Sequence, residues 1–370
     1  MNIRTISAPF AVLTVAALSL TACAANEGTP TAPSTGGSTA AASNLSGTLT
    51  GKGASSMQVA QQAWVAGFQE ANPSVTVNYA PDGSGAGRDA FIAGAADFAG
   101  SDRALKDEEM GAGKFAGCAD TSNALNLPVY ISPIAVVYNV QGVTDLKLDA
   151  ATIAGIFAGQ ITNWNDAKIA ALNEGATLPD QTITPVHRSD DSGTTENFTD
   201  YLSKTAGADW PFEVSGDWPA ELTGGEGAAE TGDVASILSS GAGTIGYLDA
   251  SRAPGHTAAI KVGDQFVKYS PEGAAAVVAG SPLEEGRKPF DLAVTLDRTT
   301  TDPSHYPLVL ISYLIGCETY ADSNDGAMVK AFFSYIASAE GQTLAGEQAG
   351  AAPISEDLRA KVTAAIDVIS

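Results

Sequence analysis

The sequence predicts an α/β fold large enough for two lobes. Two observations lead there. Strand-like and helix-like segments alternate along most of the chain, which argues for layered α/β structure with mostly parallel sheets. The part able to fold, from about Leu45 to Ser370, is long enough for a large core and for division into two lobes. A third feature fits both. Several glycine- and hydroxyl-rich turns stand between a strand and a helix, where ligands sit in such folds.

The N-terminal residues 1–22 read as an export leader. Arg4 supplies positive charge, and an apolar run from about Ala8 to Leu20 is too short for a confident membrane span. Leu20-Thr21-Ala22-Cys23 resembles a lipoprotein cleavage box, so Cys23 is expected to carry lipid. Residues 23–44 are rich in Gly, Ser, Thr, Pro and Ala and show no apolar period, as in a tether. Such a stretch spans roughly 25 Å root-mean-square. Several acyl chains would hold it stably at a membrane.

Within the body, Val75–Tyr79, Val129–Ile131, Ile134–Tyr138 and, more weakly, Ile183–Val186 read as strands. Met57–Ala71 reads as a helix, with Ala60, Trp64 and Phe68 four residues apart. Asn197–Lys204 and Val329–Ala339 read as two more helices, the first with Phe198, Tyr201 and Leu202 on one face, the second with Phe332, Tyr335 and Ile336 aligned. Residues 205–232, with Trp210 and Trp218, look like an excursion on the surface of one lobe.

The net charge is −23, and losing the leader removes one arginine and no acid. Nucleic acid is therefore excluded as a partner. An anionic ligand is not excluded, because dipoles and hydrogen bonds in a cleft can outweigh a screened surface. Besides Cys23 only Cys118 and Cys317 occur. In an exported protein they suggest one disulfide, with free buried thiols as the alternative. A bond between them would close a loop of about two hundred residues, worth roughly 5 kcal/mol in the chain-entropy model.

Three segments carry the functional signal: Gly53-Ala54-Ser55-Ser56, Gly83-Ser84-Gly85-Ala86-Gly87, and Arg188-Ser189-Asp190-Asp191-Ser192-Gly193-Thr194. Each leads into a helix, whose first N–H groups and positive dipole end favour anions. Gly100-Ser101-Asp102 adds a carboxylate at a strand end. One arginine, several hydroxyls and one aspartate suit a caged, protonated oxyanion such as phosphate. Taken singly, each Ser or Asp is an ordinary helix cap.

Other motifs fail on spacing. Gly47–Gly53 is one residue short of a P-loop and lacks the Ser/Thr after Lys52. Gly83–Gly87 misplaces the third glycine of the dinucleotide fingerprint, and no nucleophile elbow occurs. His187, His256 and His305 have no metal-ligand spacing. A hydrolase using Ser192 with His187 is the weaker alternative to a plain loop-side histidine.

At these turns the chain resembles the phosphate-binding proteins of bacterial high-affinity phosphate ABC importers. The matching elements are Gly51–Ser56, Tyr79 with Gly83–Gly87, Asp97–Asp102, Gly159–Asp166, Arg188–Thr194 and Gly243–Tyr247, in the family's order. The resemblance implies a two-lobe type II periplasmic-binding-protein fold with the ligand cleft between lobes. Lobe I would take 45–130 and 291–370, and lobe II 131–290. Cys118 and Cys317 would then share lobe I.

Residue roles follow from the resemblance. Ser55 would give a hydroxyl and a backbone donor, and Ser56 a backbone N–H, where the family often has Thr-Phe. Ser84 would donate its hydroxyl and N–H, and Asp102 would accept a hydrogen bond from the ligand. Arg188 would give a charged contact, held by Asp190. Ser192, Gly193 and Thr194 would wrap the remaining oxygens, with Lys52 close by. The expected whole is a monomeric, lipid-anchored, extracytoplasmic binding protein that is not an enzyme and uses no cofactor. It would capture inorganic phosphate and pass it to a membrane permease. Binding of sulfate, molybdate or a phosphonate is the nearer alternative, and an exported hydrolase the farther one.

Overall fold

The computed structural model describes residues 45–370. The expected leader, the tether and the lipidation of Cys23 lie outside the described residues.

The chain begins with β1 (Gly47–Gly53), a 3-10 turn at Ser55–Met57, α1 (Gln58–Ala71), β2 (Val75–Ala80), α2 (Ser84–Ile92), β3 (Phe98–Ser101) and a long β4 (Ala124–Asn139). Then come β5 (Lys147–Leu148), α3 (Ala150–Phe157), α4 (Ala167–Leu172), β6 (Thr184–Arg188), α5 (Gly193–Ala206), β7 (Glu226–Ala228), α6 (Glu230–Ser240) and β8 (Thr244–Asp249). The last part holds β9 (His256–Thr257), β10 (Ala259–Val262), β11 (Gln265–Val267), α7 (Pro271–Gly280), β12 (Val309–Cys317), α8 (Ser323–Ala337), α9 (Ala339–Ala349) and α10 (Glu356–Asp367).

The main sheet runs β2-β1-β3-β12-β4-β8-β6-β7, with β9 also paired to β4. A small sheet, β11-β10-β5, stands apart from it. The sheet is mixed, which corrects the expectation of mostly parallel strands. Both flanks are parallel, β1 with β2 and β3, and β6 with β7 and β8. The centre is antiparallel, because β12 returns between β3 and β4, and β4 runs against β8.

One strand joins the two flanks. Residues 124–133 of β4 pair with β12, while Ile134–Asn139 pair with β8. The main sheet is thus two half-sheets sharing β4, with a seam at Pro133–Ile134. Val129–Ile131 and Ile134–Tyr138, read separately in the sequence, belong to this one strand, although proline is disfavoured inside a strand. Here both prolines are accommodated. Pro128 lies beside a bulge, where Tyr130 pairs with Ser312 but Pro128 with Tyr313, leaving Val129 extra. Pro133 stands where the partner strand changes.

The expected helices form: α1 starts one residue later than expected, α5 is longer at both ends, and α8 starts earlier but stops at Ala337. On α1, Ala60, Gln61, Trp64 and Phe68 are buried. Phe68 packs on Phe332 of α8 at 5.1 Å, and Trp64 Nε1 donates to Gly341 O at 2.7 Å. Burying side chains of this size contributes about 1.5–3 kcal/mol each. On α5, Phe198, Tyr201 and Leu202 face inward, and the Phe198 ring stacks on Tyr247 at 4.0 Å. The 205–232 segment lies mostly on the surface, as expected, but its tryptophans anchor it. Trp210 is buried, and Trp218 stacks between His187 at 4.5 Å and Tyr247 at 6.1 Å. The apolar side chains of that stretch hold it down, which its Gly/Ala/Glu composition hides.

Two glycines allow helix α2 to start against β1. Gly53 has φ +147°, and a Cβ there would meet Gly100 O. A Cβ on Gly87 would lie 2.5 Å from Gly53 Cα. The segment Gly47–Gly53, set aside above as a P-loop, is the strand β1 itself.

Cys118 and Cys317 form a disulfide with Cα atoms 5.5 Å apart. It ties the end of β12 to the segment before β4 within one half-sheet, away from the seam. Its sequence separation of 199 makes the entropic constraint on the unfolded chain large. Replacing both cysteines by serine should lower unfolding free energy by about 2–5 kcal/mol, read from urea melts. An unchanged unfolding free energy would mean that the bridge adds nothing to folding.

Candidate functional site

Three turns of the first half-sheet are stitched by their backbones. Ala54 N–H donates to Gly100 O at 2.9 Å, and Gly83 N–H donates to Gly53 O at 2.9 Å. Asp102 N–H donates to Ser84 Oγ at 3.1 Å. These bonds bring Ser55 and Ser56 at the start of α1, Ser84 at the start of α2, and Asp102 after β3 into one patch. All four are buried.

The second half-sheet contributes the turn between β6 and α5. Arg188 ends β6 and is buried. Asp190 holds it, Oδ1 accepting from Nε at 2.7 Å and Oδ2 from Nη2 at 2.5 Å. Arginine presents five donors. Among the described residues Nη1 has no hydrogen-bond partner. Ser192 caps α5, its Oγ accepting from Thr195 N–H at 3.3 Å. Gly193 and Thr194 open the helix, where the first N–H groups lack intrahelical acceptors.

Asp102 joins the two sides. Its Oδ1 accepts from Ser56 Oγ at 2.7 Å and from Ser312 Oγ of β12 at 2.7 Å. Its Oδ2 accepts from Thr194 Oγ1 at 3.1 Å. A carboxylate has about four acceptor positions, so Oδ1 is filled and Oδ2 keeps one. Burial raises the Asp102 pKa, opposed by the three hydroxyls and by the Arg188 charge. Asn197 Nδ2 donates to Asp102 O at 2.7 Å and to Gly193 O at 2.9 Å, and so fixes the spacing of the two turns.

Other cross-seam contacts complete the enclosure. Ser55 Oγ accepts from Thr231 N–H at 3.0 Å and lies 3.0 Å from Thr231 Oγ1. Gly85 N–H donates to Asp191 O at 3.1 Å. The two faces meet through glycine. A Cβ on Gly193 would lie 2.5 Å from both Asp102 Cβ and Ser84 Oγ, and one on Gly83 would lie 2.4 Å from Asp190 Oδ2.

All eight residues expected to bind, Ser55, Ser56, Ser84, Asp102, Arg188, Ser192, Gly193 and Thr194, fall in this one buried region. Ser56 does more than expected, since its hydroxyl serves Asp102. Lys52 is elsewhere, paired with Asp82 at 2.8 Å. His187 places Nδ1 2.8 Å from Arg188 O and stacks on Trp218, which leaves it out of any Ser192 dyad. Trp164 of the Gly159–Asp166 element is structural, its Nε1 donating to Gly243 O at 3.0 Å. Four residues were missed: Thr231, Ser312, Asn197 and Arg88. Ser312 lies mid-strand in an apolar run, a polar exception that could have marked it. Thr231 carried no local signal beyond its place at a helix start.

Among the described residues no cluster of three His, Cys, Asp or Glu could hold a metal, and no helix is long and apolar enough to cross a membrane.

The chain matches the model of the PBP superfamily domain over residues 38–340. Phosphate-binding protein PstS 3 of Mycobacterium tuberculosis is 33% identical over 378 residues, covering 100% of both chains. A high affinity periplasmic phosphate-binding protein (PfluDING), solved bound with phosphate, superposes with TM-score 0.68 at 21% identity, covering 86% of this chain and 93% of its own. The phosphate-binding protein from Stenotrophomonas maltophilia gives 0.65 at 19% identity, over 86% and 93%. These structures share the two-lobe type II fold with this chain.

Two outcomes follow from the geometry. Gly193→Ala should force the two faces apart, giving a larger radius of gyration in X-ray scattering. An unchanged profile would mean that the contact yields. Asp249, at the seam end of β8, is raised to about 6 by burial, against bonds from Ser251 and Ser132 and with Asp102 adding to the rise. The folded state therefore holds this proton more tightly than the unfolded chain, whose value is about 3.9. That contribution is complete below pH ~4 and is lost as pH rises through about 6. Asp249→Asn should be the more stable form above pH 6 by on the order of 3 kcal/mol, and lose that advantage toward pH 4, in urea melts across this range.

Proposed function

The chain belongs to the PBP superfamily, in the family of the phosphate-binding proteins PstS, and from that premise we propose that it captures inorganic phosphate in the cage around Asp102. The family is one of transport receptors and not of enzymes. The observation that carries the ligand is the single unfilled acceptor position on Asp102 Oδ2, set opposite the unpaired Arg188 Nη1 and the helix-start N–H groups.

Near neutral pH phosphate keeps at least one proton, and sulfate keeps none. Asp102 Oδ2 can accept that O–H. Against sulfate the same carboxylate would face an anion with no shared proton, a buried repulsion. Arg188 Nη1 offers charged donors to a phosphate oxygen. Ser84, and the N–H groups of Ser55, Ser56, Gly193 and Thr194, meet the others. Ser192 helps by capping α5 and so holds the Gly193 and Thr194 N–H groups in place. The Ser55 hydroxyl reaches the ligand only when Thr231 Oγ1 donates to it, since its one proton cannot serve both.

Lobe I takes 45–130 with 291–370, and lobe II takes 131–290. The seam at Pro133–Ile134, within a few residues of that boundary, supports the division. Phosphate bridges the lobes and stabilises their closed arrangement by contacts the open one lacks. The protein is an extracytoplasmic monomer held by lipid on Cys23, with 23–44 as its tether. It hands phosphate to the permease of an ABC importer.

Calorimetry with phosphate and sulfate at neutral pH tests the reading. One phosphate per chain should bind, with no sulfate response. Asp102→Asn should weaken phosphate by about 10- to 100-fold, the loss of a charged hydrogen bond. Binding of sulfate by the parent, or full phosphate affinity in Asp102→Asn, would contradict it.

A further inference from the structure

A second set of charges faces across the seam beside the cage. Arg88, on α2, is buried and was not expected to matter. Its Nη1 donates to Ser101 Oγ at 3.1 Å, and Nε lies 3.8 Å from Glu109 Oε1, both on its own side. Its Nη2 reaches the other side and donates to Asp191 Oδ2 at 2.9 Å. Arg103, next to Asp102, is gripped by Glu109 with contacts of 2.6 and 2.9 Å. Its Nε lies 2.9 Å from Glu196 Oε2 in the first turn of α5. Lys106 Nζ is 3.9 Å from Glu196 Oε1.

The distribution is ordered by sign. One side carries Arg88, Arg103 and Lys106, with the arginines oriented by Ser101 and Glu109. The other carries Asp191 and Glu196, which bracket Ser192, Gly193 and Thr194. None of these charges belongs to the proposed ligand set. Both cross-seam pairs require the two faces to be together, because each joins groups held on separate half-sheets. Asp191 is 41% exposed, so its pair is screened by salt.

We propose that Arg88–Asp191 and Arg103–Glu196 form a closure latch, which favours the closed cleft independently of the anion and slows its escape. The inference rests on the phosphate-capture reading. The latch also answers an electrostatic difficulty. Three acids, Asp190, Asp191 and Glu196, stand around a turn that must receive an anion; Arg188 neutralises Asp190 within that turn, and Arg88 and Arg103 neutralise Asp191 and Glu196 when the faces meet. An isolated surface pair would do little. Here one partner is buried and pre-oriented, so removing the other leaves a charge without its partner only in the closed form.

The test measures phosphate release by stopped flow, together with X-ray scattering of the ligand-free protein, for the parent, Asp191→Asn, Arg88→Gln and the double variant, at low and high salt. Asp191 lies on a half-exposed turn, so its variant keeps the test open if Arg88→Gln fails to fold. The latch predicts release at least fivefold faster in Asp191→Asn, with most of the parent's salt dependence gone. It also predicts a more open ligand-free protein, and a double variant no worse than the worse single one. Parent-like release and scattering in Asp191→Asn would overturn the latch while leaving phosphate capture intact. A parent that binds no phosphate would overturn the capture reading, and the scattering arm alone would then decide the latch.

Discussion

The closed arrangement depends on one buried carboxylate. Asp102 would be costly to enclose without partners, because desolvation disfavours its charged form. Ser56, Ser312 and Thr194 supply hydroxyls from three separate elements, and Asn197 binds its backbone carbonyl. Two of those four residues lie on α5, across the seam. Satisfying Asp102 and closing the cleft are therefore largely one event. The backbone bonds that stitch the turns of β1, β2 and β3 keep the carboxylate in place while this happens.

Closure also needs room. Where the faces meet, Gly83, Gly85 and Gly193 stand opposite Asp190, Asp191, Asp102 and Ser84, with no space for a Cβ. Glycine at each of these contacts lets the opposing turn approach, as where Gly85 N–H donates to Asp191 O at 3.1 Å. The glycine-rich turns thus serve two ends, exposing helix-start donors and letting the opposing turn approach. The disulfide lies away from this contact, and so it restrains the unfolded chain without restraining the seam.

Much of this was legible in the sequence because each turn is local. Ser55, Ser84 and Ser192 stand at helix starts marked by glycine and hydroxyl residues, and Arg188 with Asp190 is a contact between near neighbours. Apart from the Cys118–Cys317 bridge, which the cysteine count suggested, what depended on long-range pairing was not legible. The central β12 returns antiparallel from far along the chain, so alternation alone suggested a mostly parallel sheet. The β4 strand was read as two short segments, and only the bulge and the change of partner show how Pro128 and Pro133 fit inside one strand. Ser312 and Thr231 reach the site through tertiary folding, and nothing in the local sequence sets Arg88 apart. The stacking of Trp218 between His187 and Tyr247 was hidden by the bland composition around it.

The central claim is that one anion sits between Arg188 and Asp102 and shares its own proton with Oδ2. A crystal structure of the phosphate-bound protein at high resolution tests this most directly. The account predicts one phosphate with an oxygen at hydrogen-bond distance from Asp102 Oδ2, another at Arg188 Nη1, and the Ser56 and Ser312 bonds to Oδ1 kept. Phosphate bound outside this cage, or with Oδ2 turned away from every phosphate oxygen, would contradict it.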